Sequence, residues 1–341
     1  MDMFKINLQL FAEVNPNTQT TTTSGVGNDL SPEMKTFYSK DLIEMLGANL
    51  VHLQFGDPVS LPKNGGKTIE WRKWSKFAKA LTPLTEGVTP NGTPIDVGTV
   101  VAHINQFGAY STVSDLLEMT AIDNVIVEVT AKHSESAKLT IDTVVRNELC
   151  GTTSVLWADK VVDGVATPTN GDGDLTKECL LTPDMIARAV ATLKKANAPK
   201  IDGSYVAIVH PSVSYDLQRN PEFIDINKYS NATTIFNGEI GKLYGVRFVE
   251  STEAKITKAS GGLAIYHTLF LGKGAYKVVK LDANNVEVIV KGRGSSGTAD
   301  PLNQRSTIGW KAIGFGAKVT IPEYIVRVKS CSYFSELDEE N

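Results

Sequence analysis

The chain has 341 residues, 42% of them hydrophobic and 21% charged, which is ample for a real core and excludes a wholly disordered, collagen-like or small disulfide-scaffold protein. Lys and Arg number 34 against 38 Asp and Glu, a net charge of -4, so the whole-chain basic footprint of a dedicated nucleic-acid binder is missing. The three cysteines, Cys150, Cys179 and Cys331, form no C-x-x-C, indicate neither a disulfide framework nor a zinc knuckle, and fit a reducing compartment.

Residues 1–11 do not read as a signal peptide, because Asp2 breaks the positive start and Asn7 and Gln9 interrupt the apolar run. Their apolar residues Phe4, Ile6, Leu8 and Leu10 alternate, as in a short strand or a sticky arm that needs a partner surface. Residues 12–30, rich in Thr, Asn, Ser and Gly, bury too little to offset their ordering entropy and read as a tether. Ser31 and Pro32 then open a helix carrying Phe37, Leu42, Ile43 and Leu46, which Gly47 can end. No apolar run approaches the roughly 18 residues that span a bilayer.

Residues 56–98 are punctuated by Pro58, Pro62, Pro83, Pro90 and Pro94 and by glycines, which excludes a core helix. Lys67–Trp74 alternates as a strand does, and a second extended run covers Thr99–Val113. These predict a two-stranded arm that leaves the body and returns, with a reach of at most about 65 Å at twenty residues each way. Such a hairpin is marginal alone and needs a surface, with a neighbouring copy as the natural candidate. Residues 123–149 predict a helix about 40 Å long, with Asp123 as N-cap, a stripe of Ile122, Ile126, Val129, His133, Ala137, Ile141 and Val144, and Gly151 as its end.

A loop-rich stretch to Thr182 follows, then a helix from Pro183 through Ala196, a buried strand Ser204–His210 and a short helix Pro211–Arg219. Leu243–Val249, Leu263–Leu271 and Val286–Val290 read as strands, making residues 183–290 an α/β domain. Three strand-like runs, Thr307–Ile313, Gly316–Ile321 and Tyr324–Lys329, are expected to pair with each other or with the arm. The acidic end, Glu336–Asn341, is expected to fray.

Chemistry-bearing motifs fall short on inspection. Gly66-Lys67-Thr68 matches the end of a P-loop, but Leu61 stands where its first glycine belongs, so a turn entering the arm is expected. Gly292-Arg-Gly294-Ser-Ser-Gly297 matches G-x-G-x-x-G after a strand, yet Thr298–Pro301 opens no helix and a plain glycine loop is the stronger reading. Asn170–Asp174 begins like a calcium loop but lacks the following glycine and the terminal Glu, Leu175 and Leu181 standing there, so a solvated turn is expected. The five histidines are scattered, and His133 reads as a packed residue of the helix stripe. No catalytic, cofactor-binding or metal-ligating residue is assigned.

One charge feature stands out. Lys63, Lys67, Arg72, Lys73, Lys76 and Lys79 oppose a single acid, Glu70, with Trp71, Trp74 and Phe77 interleaved. Such a pattern serves a single-stranded nucleic-acid platform or an arm lying on a neighbour. The hairpin geometry favours the arm, with Lys63, Lys67, Trp71, Arg72, Lys73, Trp74, Lys76 and Lys79 as its subunit-contact residues.

This order of parts resembles the tailed-bacteriophage major capsid proteins of HK97-type fold, and the likeness is carried by Phe4–Ala12, Leu61–Glu70, Ala80–Pro90, Gly238–Glu250 and Asp300–Trp310. The resemblance implies an α+β fold with five parts. They are an N-terminal arm and first helix (1–55), an extended β-hairpin or E-loop (56–110), the spine helix with the first part of a β-rich peripheral domain (111–182), an α/β axial domain (183–290), and peripheral return strands with an acidic tail (291–341). It implies a structural, non-enzymatic protein that self-assembles into the icosahedral head shell around phage double-stranded DNA, without cofactors and without a membrane. Its partners would be its own copies in pentamers and hexamers, a separate scaffolding protein or none, a portal, and packaged DNA touched weakly and non-specifically. It would reside in the virion capsid after synthesis in the host cytoplasm. Lys63, Lys67, Lys73, Lys76, Lys79 and Asn303 are present, but no lysine–asparagine–glutamate crosslinking set is matched. The alternatives are a bacterial cargo-holding nanocompartment shell of the same fold and, in another class, a nucleotide-binding enzyme using Gly292–Gly297.

Overall fold

The computed structural model describes residues 18, 19 and 51–341, except 63–65, 76, 78, 85, 90, 121–124, 163, 229–241, 260, 282–285, 296, 298 and 299. The expected sticky arm, the helix opened by Ser31 and the Asp123 cap lie outside the described residues, as does the tether apart from residues 18 and 19. In chain order the elements begin β1 (Thr18–Gln19), β2 (Asp57–Leu61), β3 (Thr68–Trp74), β4 (Val97–His103), β5 (Asn105–Ser114), α1 (Asp115–Thr120) and α2 (Val125–Cys150). Then come β6 (Val155–Trp157), β7 (Lys160–Val162), β8 (Val165–Thr167), α3 (Pro183–Lys195), β9 (Tyr205–Val209), α4 (Pro211–Gln218) and α5 (Pro221–Lys228). The remainder is β10 (Lys242–Leu243), β11 (Val246–Glu250), β12 (Ile256–Lys258), β13 (Ala264–Leu271), β14 (Tyr276–Leu281), β15 (Glu287–Lys291), β16 (Arg305–Val319) and β17 (Ile325–Ser330).

One compact unit comprises residues 1–50, 106–140 and 284–313. Here β15 and β16 pair antiparallel from Glu287↔Lys311 to Lys291↔Thr307. The start of α2 buries Ile126 and Val129 against Ile308 and Val290. On the other edge of β16 lies β5, whose own outer edge pairs in parallel with β1 at Thr112 and Val113. The approach of β5 to β16 demands glycine: a Cβ on Gly108 would stand 2.7 Å from the Trp310 carbonyl oxygen, and one on Gly309 2.8 Å from that of Ala109. His133 is the packed histidine that its place on the stripe implied, with Nε2 3.0 Å from Ser111 Oγ and its pKa lowered by burial.

The second unit comprises residues 51–105, 141–283 and 314–341. Its main sheet runs β10-β11-β9-β13-β17-β6, with β12 on β13. All five residues of β9 and all eight of β13 are buried, so continuous buried runs replace alternation, as in a sheet covered on both faces. α3 begins where Thr182 accepts a hydrogen bond from Met185 N and Pro183 fills a first-turn position that needs no donor. It buries Met185, Ile186, Ala189, Val190 and Leu193 in the largest core cluster, with Ala207, Val209, Phe270 and Val328. Separately, β14 pairs parallel with β2 and antiparallel with the end of β16.

Several expectations are corrected. The hairpin is shorter than its sequence allowed: β3 and β4 pair over seven residues, from Thr68↔His103 to Trp74↔Val97. The rest of the second run turns away as β5, because Ile104 interrupts the strand. Along α2 the stripe continues in steps of four through Ile141, Val145 and Leu149, all buried, while Val144 is only half-buried. Four-residue steps on a 3.6-residue turn rotate the stripe slowly, so the terminal step of three was misplaced. The run Leu243–Val249 is two strands joined at Tyr244 and Gly245, both with positive φ, 51° and 79°. The run Thr307–Ile313 and most of Gly316–Ile321 fall in one strand, β16, which pairs with β5 of the arm's second run, as expected, and also with β15 and β14, while β17 pairs with β13 and β6. The loop-rich stretch contains the three-residue strands β6, β7 and β8, and α5, β12 and β14 were not anticipated. The acidic end is pinned instead of frayed: Ala264 N donates to Glu336 O, Tyr266 OH to Asp338 Oδ2, and Ile256 N to Asn341 Oδ1.

Candidate assembly surface

The hairpin is anchored at its root and bare beyond it. Leu61, Ala102 and Val279 form a small buried cluster on which Ile69, Trp71 and Ile104 pack. The Lys277 ammonium lies 5.0 Å from the Trp71 ring centroid, a cation held over a π face. Further out, Lys73 reaches Glu323 at 3.4 Å, with both side chains about half exposed, so the pair contributes little on its own. Glu323 nevertheless sits below the ordinary carboxylate value, chiefly through a backbone hydrogen bond, which together with Lys73 outweighs the opposing effect of burial.

Beyond Ser75, whose N–H donates to Asp96 O, the described residues to Asp96 form neither helix nor strand. They carry Phe77, Leu81, Leu84, Val88 and Ile95 into solvent, Leu81 at 82% exposure, with Trp74 at 64% beside them. Of the contact residues read from the sequence, Lys67, Arg72, Lys73, Trp74 and Lys79 are exposed and Trp71 is half-buried against its own chain. Lys63 and Lys76 lie outside the described residues. The basic residues had drawn attention first, yet the stronger feature is apolar. Its signal was present in the sequence as leucines and valines among prolines and glycines, too broken to build a core of their own.

The other motifs are absorbed by structure. Gly66 has φ 89° and leads straight into β3. Arg293 of the glycine loop pairs with the buried Glu118 at 3.2 Å, and the described chain runs from that loop through a turn into β16. Asp172 takes hydrogen bonds from Trp157 Nε1 at 2.8 Å and from Lys329 Nζ, while Asp174 accepts from Asn170 N. Burial alone would raise the Asp172 carboxyl, but Lys329 and Trp157 outweigh it and hold the group below its ordinary value. His267 is driven down to about 3 by burial and then by Arg327, Lys329 and Lys255, so it is neutral at pH 7. Burial and then Cys179 push the Cys331 thiol up to about 12, a protonated and unreactive group at neutral pH.

In the first unit an open groove of about 640 Å³ runs over β5, β15 and β16, lined by Gly108, Tyr110, Ile289, Lys291, Trp310 and Lys311 among others. No acid, histidine or cysteine is among its lining residues. Among the described residues no group of three His, Cys, Asp or Glu could hold a metal ion, and no helix is long and apolar enough to cross a membrane.

A family model described as phage capsid protein matches residues 96–328. The fold is similar to the capsid of cyanophage P-SCSP1u at 14% identity, covering 95% of this chain and 94% of that one with a TM-score of 0.60. It is similar to the capsid of Ralstonia phage GP4 at 12% identity, covering 95% and 98%, also at 0.60. The acid-stable capsid of Helicobacter pylori bacteriophage KHP30 matches at 11% identity over 99% and 98%, again at 0.60. No curated protein matches the chain. At these identities the structural likeness speaks for the fold, an α+β architecture of HK97-like type, and the family match covers most of the sequence.

Proposed function

The chain belongs to the phage capsid protein family, and from that premise we propose that this structural shell protein forms an icosahedral head around packaged double-stranded DNA. The family match carries the reading, and the bare apolar hairpin supports it. An arm that exposes Trp74, Phe77, Leu81, Leu84 and Ile95 has no cover among the described residues and in this reading finds one on an identical subunit. Contacts of this kind are heterologous: they use two different patches and close into rings of five or six when the rotation permits. Residues 56–110 serve as the E-loop in this reading, residues 183–290 as the axial domain, and residues 111–182 with 291–341 as the peripheral domain. The contact residues are Lys67, Trp71, Arg72, Lys73, Trp74 and Lys79, with Lys63 and Lys76.

The protein is not an enzyme in this reading: the acids and histidines singled out above serve packing and ion pairs. A net charge of -4 suits a wall that contacts DNA weakly and must let it leave. Its other partners in this reading are a portal and a separate scaffolding protein or none, and its place is the virion capsid. Negative-stain microscopy of the purified chain tests the proposal. Closed shells or five- and six-fold rings are expected, and a small soluble oligomer that binds NAD or ATP would overturn it. Particles enclosing a protein cargo would favour the nanocompartment reading instead.

A further inference from the structure

Apart from the hairpin, the second unit presents a compact aromatic surface where the acidic segment begins. Tyr215 on α4 and Phe334 contact with ring centroids 4.8 Å apart. Arg219 lies 5.5 Å from the Tyr215 centroid and Lys177 5.9 Å from that of Tyr333. All five side chains are exposed. Apolar area crowned by two cations suits an acidic partner with some apolar character.

The chain's own acidic segment has that chemistry, but several of its side chains are committed elsewhere. Asp338 accepts from Tyr266 OH at 2.6 Å and Ser335 Oγ, Glu339 pairs with Lys258 at 3.1 Å, and Asn341 bridges Ile256 N and Ala254 O. The nearby acids are also engaged: Asp216 accepts from Ser332 Oγ and Tyr333 N, and Glu178 reaches Lys160 at 4.0 Å. A segment pinned in this way cannot fold back over its own aromatic patch, yet Leu337, Glu339 and Glu340 remain exposed.

We propose that the patch of Tyr215, Tyr333 and Phe334, crowned by Lys177 and Arg219, receives the acidic segment Glu336–Glu340 of a second copy of this chain. Patch and segment are different groups of residues, so the contact joins the patch of one copy to the segment of another. It rests on the shell reading and adds to it a second interface, remote in sequence from the hairpin.

The experiment is a charge swap read by sedimentation and electron microscopy of purified protein. Lys177→Glu with Arg219→Glu reverses the patch, and Glu336→Lys with Glu340→Lys reverses the segment while leaving the contacts of Asp338, Glu339 and Asn341 in place. Each double variant should keep the wild-type melting temperature and lose closed particles, and the fourfold variant should regain them. Normal assembly of either double variant, or no recovery in the fourfold variant, overturns the contact. A double variant that melts early is replaced by Lys177→Gln with Arg219→Gln, expected to weaken assembly at low salt more than at high salt; equal loss at both overturns the electrostatic contact. Failure of the wild type to assemble at all would instead overturn the shell reading and this contact together.

Discussion

Asp142 and His52, ninety positions apart in sequence, meet twice in the core: Oδ1 accepts from the His52 backbone N–H at 2.9 Å, and Oδ2 stands 2.6 Å from the ring Nδ1. Both side chains are buried, and Tyr276 OH donates to the carbonyl of the same histidine. One carboxylate on α2 thereby fixes the turn that leads into β2. Asp142→Ala would strand two buried donors, and a loss of about 3–5 kcal/mol is expected in urea unfolding. Asp142→Asn keeps one acceptor and should lose less. An alanine variant as stable as the wild type would show that the pair contributes nothing.

The clasp of the acidic segment is sensitive to acid. Hydrogen bonds from Ser335 and then Tyr266 outweigh burial and hold the Asp338 carboxyl below its ordinary 3.8. A group with a depressed folded pKa contributes its stability fully above the unfolded value and loses it as pH falls through the folded value. Carboxypeptidase should therefore trim the segment slowly at pH 7 and more readily as the pH falls below the ordinary carboxylate value, with little change between pH 7 and 5. Asp338→Asn should be trimmed at both. A wild-type segment cut equally fast at pH 7 and in acid would contradict the clasp.

The two tryptophans of the hairpin are expected to part company. Trp74 is exposed, so Trp74→Ala should change the stability of the free subunit by no more than about 0.5 kcal/mol while blocking particle formation. Trp71 rests on the root cluster beneath Lys277, so Trp71→Ala should destabilise the root itself and speed amide exchange in β3 and β4. In the unmodified free subunit, residues 75–96 should exchange fastest, whereas β2, paired with β14, should be protected. In particles both regions should be protected. Assembly of Trp74→Ala with wild-type yield would remove the hairpin's apolar face from the interface.

The sequence was readable where one local rule governed a whole element. α2 repeats its apolar positions for 26 residues, and α3 is announced by Pro183 and closed near Ala196. It misled where glycine had two meanings. Gly314 stood between two expected strands, yet β16 runs straight through it, and at Gly309 and Gly316 that strand meets other backbone too closely for any Cβ. The three residues apiece of β6, β7 and β8 are too few to show a period. The pinned end was illegible for another reason: its partners, such as Ile256 for Asn341 and Tyr266 for Asp338, lie some seventy or more positions away. Charge alone argued for fraying, and only the fold could supply those partners. For the assembly surface, the basic residues of β3 were conspicuous, whereas the exposed leucines beyond Trp74 lie among prolines and glycines with no helical or strand period to mark them.

Gly316 offers the sharpest test of how the hairpin is held. It pairs with Val279 of β14, and a Cβ placed on it would stand 2.5 Å from the carbonyl oxygen of His103, the last residue of β4. That obstacle is backbone, so no side chain can swing aside. Gly316→Ala must push β16 and the end of β4 apart, and overpacking of this kind costs about 1–3 kcal/mol. Gly98 is the control within the same hairpin. A Cβ there meets nothing nearer than Lys73 O at 3.8 Å, so Gly98→Ala should leave stability almost unchanged. A seven-pair hairpin is marginal without its root, so the two variants should also differ in dynamics. Exchange in β3 and β4 should quicken in Gly316→Ala and stay as in wild type in Gly98→Ala. Equal behaviour of the two would mean that the hairpin does not depend on the close approach at its base.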